Sequence, residues 1–168
     1  MTLSLSQAST PVFIQGLTGL ATALDKTTAH IEAHKIDPAA LLQARLFPDM
    51  FPFARQVQIA TDFAKGSVAR LAGEEPPTYD DANPDFDTLK ARVQTTLAYL
   101  RSIDAGRIDG QENREITLVR RGESSLIKAQ PYLLQQAMPN FYFHLTTAYA
   151  ILRHNGVPLG KRDFLGVN

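Results

Sequence analysis

Four histidines (His30, His34, His144 and His154) and no cysteine bound the side-chain chemistry open to this 168-residue chain. Without a thiol there is no thiolate nucleophile, no cysteine-built zinc site and no iron–sulfur ligation. His30 and His34 stand four residues apart, so on a helix both rings project from one side, as a two-histidine metal pair requires. Ile31, Glu32 and Ala33 separate them, which is not the metalloprotease order, where glutamate directly follows the first histidine. The pair lies about 100° and 60° off the apolar seam of its helix, at the end where the macrodipole favours positive charge, and is read as a solvated helix end. His154, beside Asn155-Gly156, is read as a capping or surface residue.

His144 sits differently. It falls about 60° off the seam formed by Phe141, Leu145 and Leu152, on the flank of Ala137 and Ile151, where a ring is partly buried and needs a partner. A structural histidine bonded to a carbonyl or a tyrosine hydroxyl is the first reading, a ligand-binding group the second and a metal ligand the third. Asn140, one turn earlier, shares its face.

Other chemistries lack their parts. There is no GxSxG, GxxxxGK[ST] or GxGxxG, so neither a nucleophile elbow nor a phosphate cradle can be assembled. Seventeen basic residues balance seventeen acidic ones, which excludes a global field for nucleic acid or anionic lipid. Arg120 and Arg121, with Lys128 near, form a local basic pair read as a solvated turn. The N-terminal MTLSLSQASTPVF lacks a basic, then apolar, leader pattern, and no apolar run approaches the ~20 residues of a membrane span, which predicts a soluble cytoplasmic protein.

The elements that must carry these residues are legible as stripes. Phe13, Leu17, Leu20, Leu24 and Ile31 recur at helical spacing between Leu5 and His34, with Gly16 and Gly19 beside them to admit a close neighbour. Asp37-Pro38 starts a short helix. Phe53, Val57, Ala60, Ala64, Val68 and Leu71 form a second long stripe after Pro52, closed by Gly73. The acidic, proline-bearing run from Glu74 to Asp87 predicts a solvated loop within one domain spanning 1–168. Phe86, Leu89, Val93, Leu97 and Leu100 make a third stripe, and Leu134, Met138, Phe141, Leu145, Ala148 and Leu152 a fourth, kinked between Gln135 and Asn140 by Pro139. Between the last two, residues 115–128 predict a small hairpin turning at Gly122. The tail folds back through Phe164 and Leu165. The whole predicts an all-α four-helix bundle with one inserted β-hairpin. Tyr142, Phe143 and Tyr149 cannot all face the fourth seam, so some of that surface must meet the hairpin, the tail or another subunit, and a homodimer is the expectation.

The runs SQASTPVFIQGL, ARLFPDMFPFARQVQIATDFAKG and PNFYFHLTTAYAILRHNGVPLGKRDFLG resemble an uncharacterised bacterial domain-of-unknown-function family in the DinB/YfiT-like superfamily of four-helix bundles, over essentially the whole chain. Members of that superfamily resemble metal-binding proteins with one histidine on the second long helix and an HxxxH pair on the last, and some are thiol-dependent transferases or isomerases. Anchored on the LRxNG stop, His144 matches the second histidine of the pair and Asn140 the first. No histidine occurs between Lys35 and Phe143, so the resemblance implies an eroded ligand set, with no metal and no cofactor. Two functions follow as expectations. The first is a non-catalytic bundle whose cleft at Asn140 and His144 is filled or binds a small polar molecule. The second is a transferase- or isomerase-like enzyme with His144 as general base and Asp49, Arg55 or Gln56 contacting substrate.

Overall fold

Residues 3–120 and 122–167 are described in the computed structural model of the chain, apart from the Arg120 side chain, so the expected basic pair at Arg120 and Arg121 lies outside the described side chains. Helix α1 spans Leu5–His34, α2 Pro38–Leu42, α3 Phe53–Ala72 and α4 Phe86–Ser102. The hairpin pairs β1 (Glu115–Arg120) with β2 (Glu123–Lys128). A last helical stretch runs through α5 (Ala129–Tyr132), a π turn (Leu133–Ala137) and α6 (Met138–His154), followed by the short α7 (Lys161–Leu165). The chain is therefore the expected helical bundle with one inserted hairpin. None of the described helices is long and apolar enough to cross a membrane.

Local chemistry sets the helix ends. Ser4 and Gln7 form a capping box at the start of α1, and Asp85 and Thr88 form another at α4, each satisfying amides that no intrahelical carbonyl can reach. Asp37 accepts from the Ala39 amide at 3.0 Å to start α2. Gly73 ends α3 with φ +74°, a left-handed conformation that disfavours side chains.

The four stripes meet in one core. Phe13, Leu17, Val57, Ala64, Val93, Leu97, Phe141 and Leu145 are all buried in the same cluster, and their removal from water supplies the main drive for assembly. The glycines on α1 permit close approach as expected. A Cβ on Gly16 would lie 2.8 Å from the Phe141 ring, and one on Gly19 would lie 2.5 Å from the Phe164 carbonyl oxygen. The tail is thus seated on α1, where Lys26 pairs with Asp163 at 2.7 Å and Tyr149 meets Phe164 edge-on. Leu165 itself stays partly exposed.

Two expectations need correction. Leu134 is not in the core: it is exposed, and Leu133 and Ala137 are buried instead. Pro139 has no amide to give the Gln135 carbonyl, so the helix widens. The Met138 amide reaches back five residues to the Leu133 carbonyl, and the wider turn shifts the buried face by one position. Nor is the acidic run wholly solvated. Asp81 holds Arg55 at 2.6 Å and Arg92 at 2.8 Å, Glu74 engages Arg107 and Tyr99, and Asp85 caps α4.

Candidate functional site

Helices α3 and α6 pack antiparallel, so the first turn of α3 lies beside the middle of α6. There the His144 Nδ1 is 2.7 Å from the Gln56 carboxamide oxygen. The Gln56 amide nitrogen donates to the Phe51 carbonyl at 3.0 Å. That second bond orients the carboxamide, so its oxygen faces the ring and the proton resides on Nδ1. Nε2 keeps its lone pair and accepts no hydrogen bond among the described residues. The imidazole stacks on Phe63, with centroids 5.9 Å apart at 15°, and takes the Phe143 ring edge-on at 5.2 Å. Partial burial, and then the Arg55 charge, hold the His144 pKa below its ordinary value. At neutral pH the ring is therefore an uncharged acceptor.

Arg55 is not free to swing onto a ligand. Its guanidinium donates to Gln58 Oε1 at 3.1 Å and to Asp81 at 2.6 Å. Asp81 also binds Arg92, which is nearly sealed from solvent. Arg92 donates further to Thr61 Oγ1 and Asp62 Oδ1, each at 2.6 Å, and lies 5.0 Å from the centre of the Tyr79 ring. Burial of the Asp81 carboxyl acts to raise its pKa, but the hydrogen bonds and charges of Arg55 and Arg92 outweigh this and lower it.

Of the expected site residues, the structure therefore brings Arg55 and Gln56 to His144. Asn140 shares the face but turns its amide to the Gln136 carbonyl on its own helix, at 2.7 Å. Asp49 is exposed in the turn before α3, and its carboxylate makes no hydrogen bond or ion pair among the described residues. Phe63 and Asp81 escaped the sequence reading. An aromatic just off the Val57–Ala60–Ala64 stripe was the available signal for Phe63, whereas Asp81 lay inside a run read as solvated. His30 and His34 are a helix end, as expected: the His34 Nδ1 donates to the His30 carbonyl at 2.9 Å.

A helical bundle with this arrangement places the chain among DinB-like folds. The crystal structure of a DinB family member protein from Shewanella denitrificans superposes with a TM-score of 0.88 at 37% sequence identity, covering 98% of this chain and 93% of that one. Residues 5–165 match the family described as a domain of unknown function, DUF1993, and the chain belongs to that family. No match was found among curated proteins.

The metal implied by the wider superfamily does not fit these residues. The donors around His144 are one imidazole nitrogen and a carboxamide oxygen already bonded to it, while Asn140 donates to its helix and Asp81 is held by two arginines. No group of three histidine, aspartate or glutamate side chains able to hold a metal occurs among the described residues. Zinc and nickel favour several nitrogen, sulfur or carboxylate ligands at once.

Proposed function

We propose that the protein is a non-catalytic, metal-independent DinB-like bundle, cytoplasmic and homodimeric, whose groove beside Asn140 and His144 binds a small polar molecule. The observation that carries this reading is the 2.7 Å bond between His144 and Gln56. It spends Nδ1 on a neutral partner and leaves Nε2 as an oriented acceptor for a ligand hydroxyl or amide.

A neutral imidazole with an available nitrogen also suits a general base, the role a transferase- or isomerase-like reading would give it, with Arg55 and Gln56 as substrate contacts. The partners favour binding instead. A catalytic histidine is commonly backed by a carboxylate that stabilises the imidazolium formed when it takes a proton. Here the backing group is an uncharged carboxamide, and the neighbouring Arg55 opposes that charge.

Two measurements test the reading. Zinc and nickel titrations with elemental analysis of untagged protein are expected to give far less than one metal per chain; stoichiometric metal lost in His144→Ala would overturn it. Ring nitrogen NMR of His144 is expected to show the Nδ1-protonated tautomer, with Nε2 shifting on addition of hydroxyl- or amide-bearing small molecules. A set of such compounds leaving Nε2 unmoved would remove the ligand.

The dimer is supported by Phe143, Phe47 and Phe51, which are more than half exposed, and by the partly exposed Tyr142. The Phe51 backbone and the Phe143 ring both touch the Gln56–His144 pair, so these two exposed aromatics lie beside it. Tyr149, by contrast, is occupied within the chain by Phe164. Sedimentation at micromolar concentration is expected to give twice the 18.5 kDa chain mass; a single monomeric species, unchanged on concentration, would sink the dimer.

A further inference from the structure

A second concavity lies further along α3, toward its C-terminal end, between that helix, the hairpin and the π turn. It measures about 700 Å3, within the range of small-molecule sites. Its apolar lining comes from Phe63, Pro76, Ile116, Leu118, Val119 and Tyr132. Of the hairpin residues, Ile116 is buried and Leu118 half-buried while Glu115, Thr117 and Val119 are exposed, so the pleat turns the apolar pair inward.

Two guanidinium groups converge on the same cleft, and neither forms an ion pair among the described residues. Arg70 donates to the Gly66 carbonyl at 2.9 Å and to the Tyr132 hydroxyl at 3.4 Å. Arg114 donates to the Leu71 carbonyl at 3.1 Å. Both are only half-buried and are held by neutral acceptors, so their charge is positioned without being cancelled by these partners.

Glycines seat both side chains. Gly73 already has a left-handed backbone to explain it, but Gly66 does not: it sits inside α3, where glycine costs about 1 kcal/mol against alanine. A Cβ there would lie 2.7 Å from the Arg70 guanidinium and would otherwise meet only that same group within 4 Å. Room for Arg70 is the structural use of that glycine.

Three carboxylates line the cleft as well, and they narrow the ligand. Glu74 is taken up by Arg107 and Tyr99, whereas Glu75 and Glu115 stand exposed at the rim. Rim carboxylates repel a polyanion, and the apolar wall gives a bare inorganic anion nothing to bury against.

We propose that this cleft binds a small amphipathic carboxylate, with an apolar acyl or aryl body against Phe63, Ile116, Leu118 and Tyr132 and its single negative charge on Arg70 and Arg114. The cleft adjoins the His144 pair, with which it shares the Phe63 ring, but the proposal does not depend on that reading.

The test titrates the full-length, isotope-labelled chain with decanoate, with decanol as the uncharged body of equal length, and with inorganic phosphate as the anion without a body. Saturable one-to-one binding of decanoate is expected, with amide shifts at Ile116, Leu118 and Tyr132 and affinity about tenfold or more above decanol and phosphate. Arg70→Met and Arg114→Met should each weaken it by about tenfold. Absence of saturable decanoate binding, equal binding of decanol or phosphate, or affinity unchanged in both arginine variants would overturn the proposal. Gly66→Ala keeps the test decisive should an arginine variant misfold, because alanine favours the helix while its Cβ displaces Arg70. It should retain or raise the melting temperature and still weaken decanoate binding severalfold; undiminished binding in that variant also overturns the proposal.

Discussion

Arg92 and His144 are both polar groups packed against α3, and they are satisfied in opposite ways. The guanidinium of Arg92 is nearly sealed from water and meets two carboxylates, a threonine hydroxyl and the face of Tyr79. The imidazole of His144 is half-buried, meets one neutral carboxamide and is flanked by two aromatic rings. A buried full charge must be compensated on the spot, because transfer from water costs several kcal/mol even after relaxation. Once compensated, it has little left to offer a ligand. A neutral ring can be buried with half its hydrogen-bonding capacity unspent, at far lower cost. The first cluster is therefore architecture that fastens the acidic segment to α3 and α4, and the second retains capacity for recognition. Asp81 links them, since its carboxylate binds both Arg92 and Arg55.

The sharpest way to break this contrast is to remove the compensated charge. Arg92→Met leaves Asp62 and Asp81 facing an apolar chain. Because both carboxylates keep some access to water, the expected destabilisation is about 3 kcal/mol, the lower end for a broken buried pair. Urea melts measure it, and a loss well under half that size would show that Arg92 is peripheral.

A smaller effect is expected at the other cluster. Gln56→Leu preserves volume but removes the acceptor for His144 Nδ1 and the donor to the Phe51 carbonyl, for a cost of about 1 to 2 kcal/mol. The same variant should free the ring to change tautomer. An unaltered tautomer, read by ring nitrogen shifts, would mean that Gln56 does not set it.

The smallest expected effect lies in pH dependence. His144 has a folded-state pKa below its unfolded value of about 6.5. The unfolded chain then takes up the proton first as pH falls, so stability is complete above that value and declines as pH drops toward the folded pKa. Wild type should therefore lose more stability than His144→Gln between neutral and mildly acidic pH. Asp81 acts lower on the scale: its depressed pKa contributes stability present above the usual carboxylate range and lost as pH falls through the folded value. Equal pH profiles for wild type and His144→Gln would place the imidazole in an environment like water.

Periodicity made the bundle legible because burial repeats with the helical turn. The apolar stripes alone assign Phe13, Val57, Val93 and Phe141 to one core, and all four are fully buried. The same logic failed at Leu134, where one proline changed the number of residues per turn and moved the buried face to Leu133. His144 could be placed on a half-buried flank, but its partner could not be named, since Gln56 stands 88 residues away. Asp49 and Asn140 looked equally available in sequence; one faces solvent, and the other bonds its own helix.

By itself, the sequence determined the number and length of the long helices, the Asp37-Pro38 start and the Gly73 stop, the hairpin, and the absence of cysteine chemistry, because each depends on residues within a few turns of one another. Only the tertiary structure decided which polar groups are spent and which are left over. It set Gln56 against His144, fastened Asp81 between Arg55 and Arg92, and brought Arg70 and Arg114 to one cleft. Hydrogen bonding and charge compensation act over a few ångströms between segments far apart in the chain, and no local period records them.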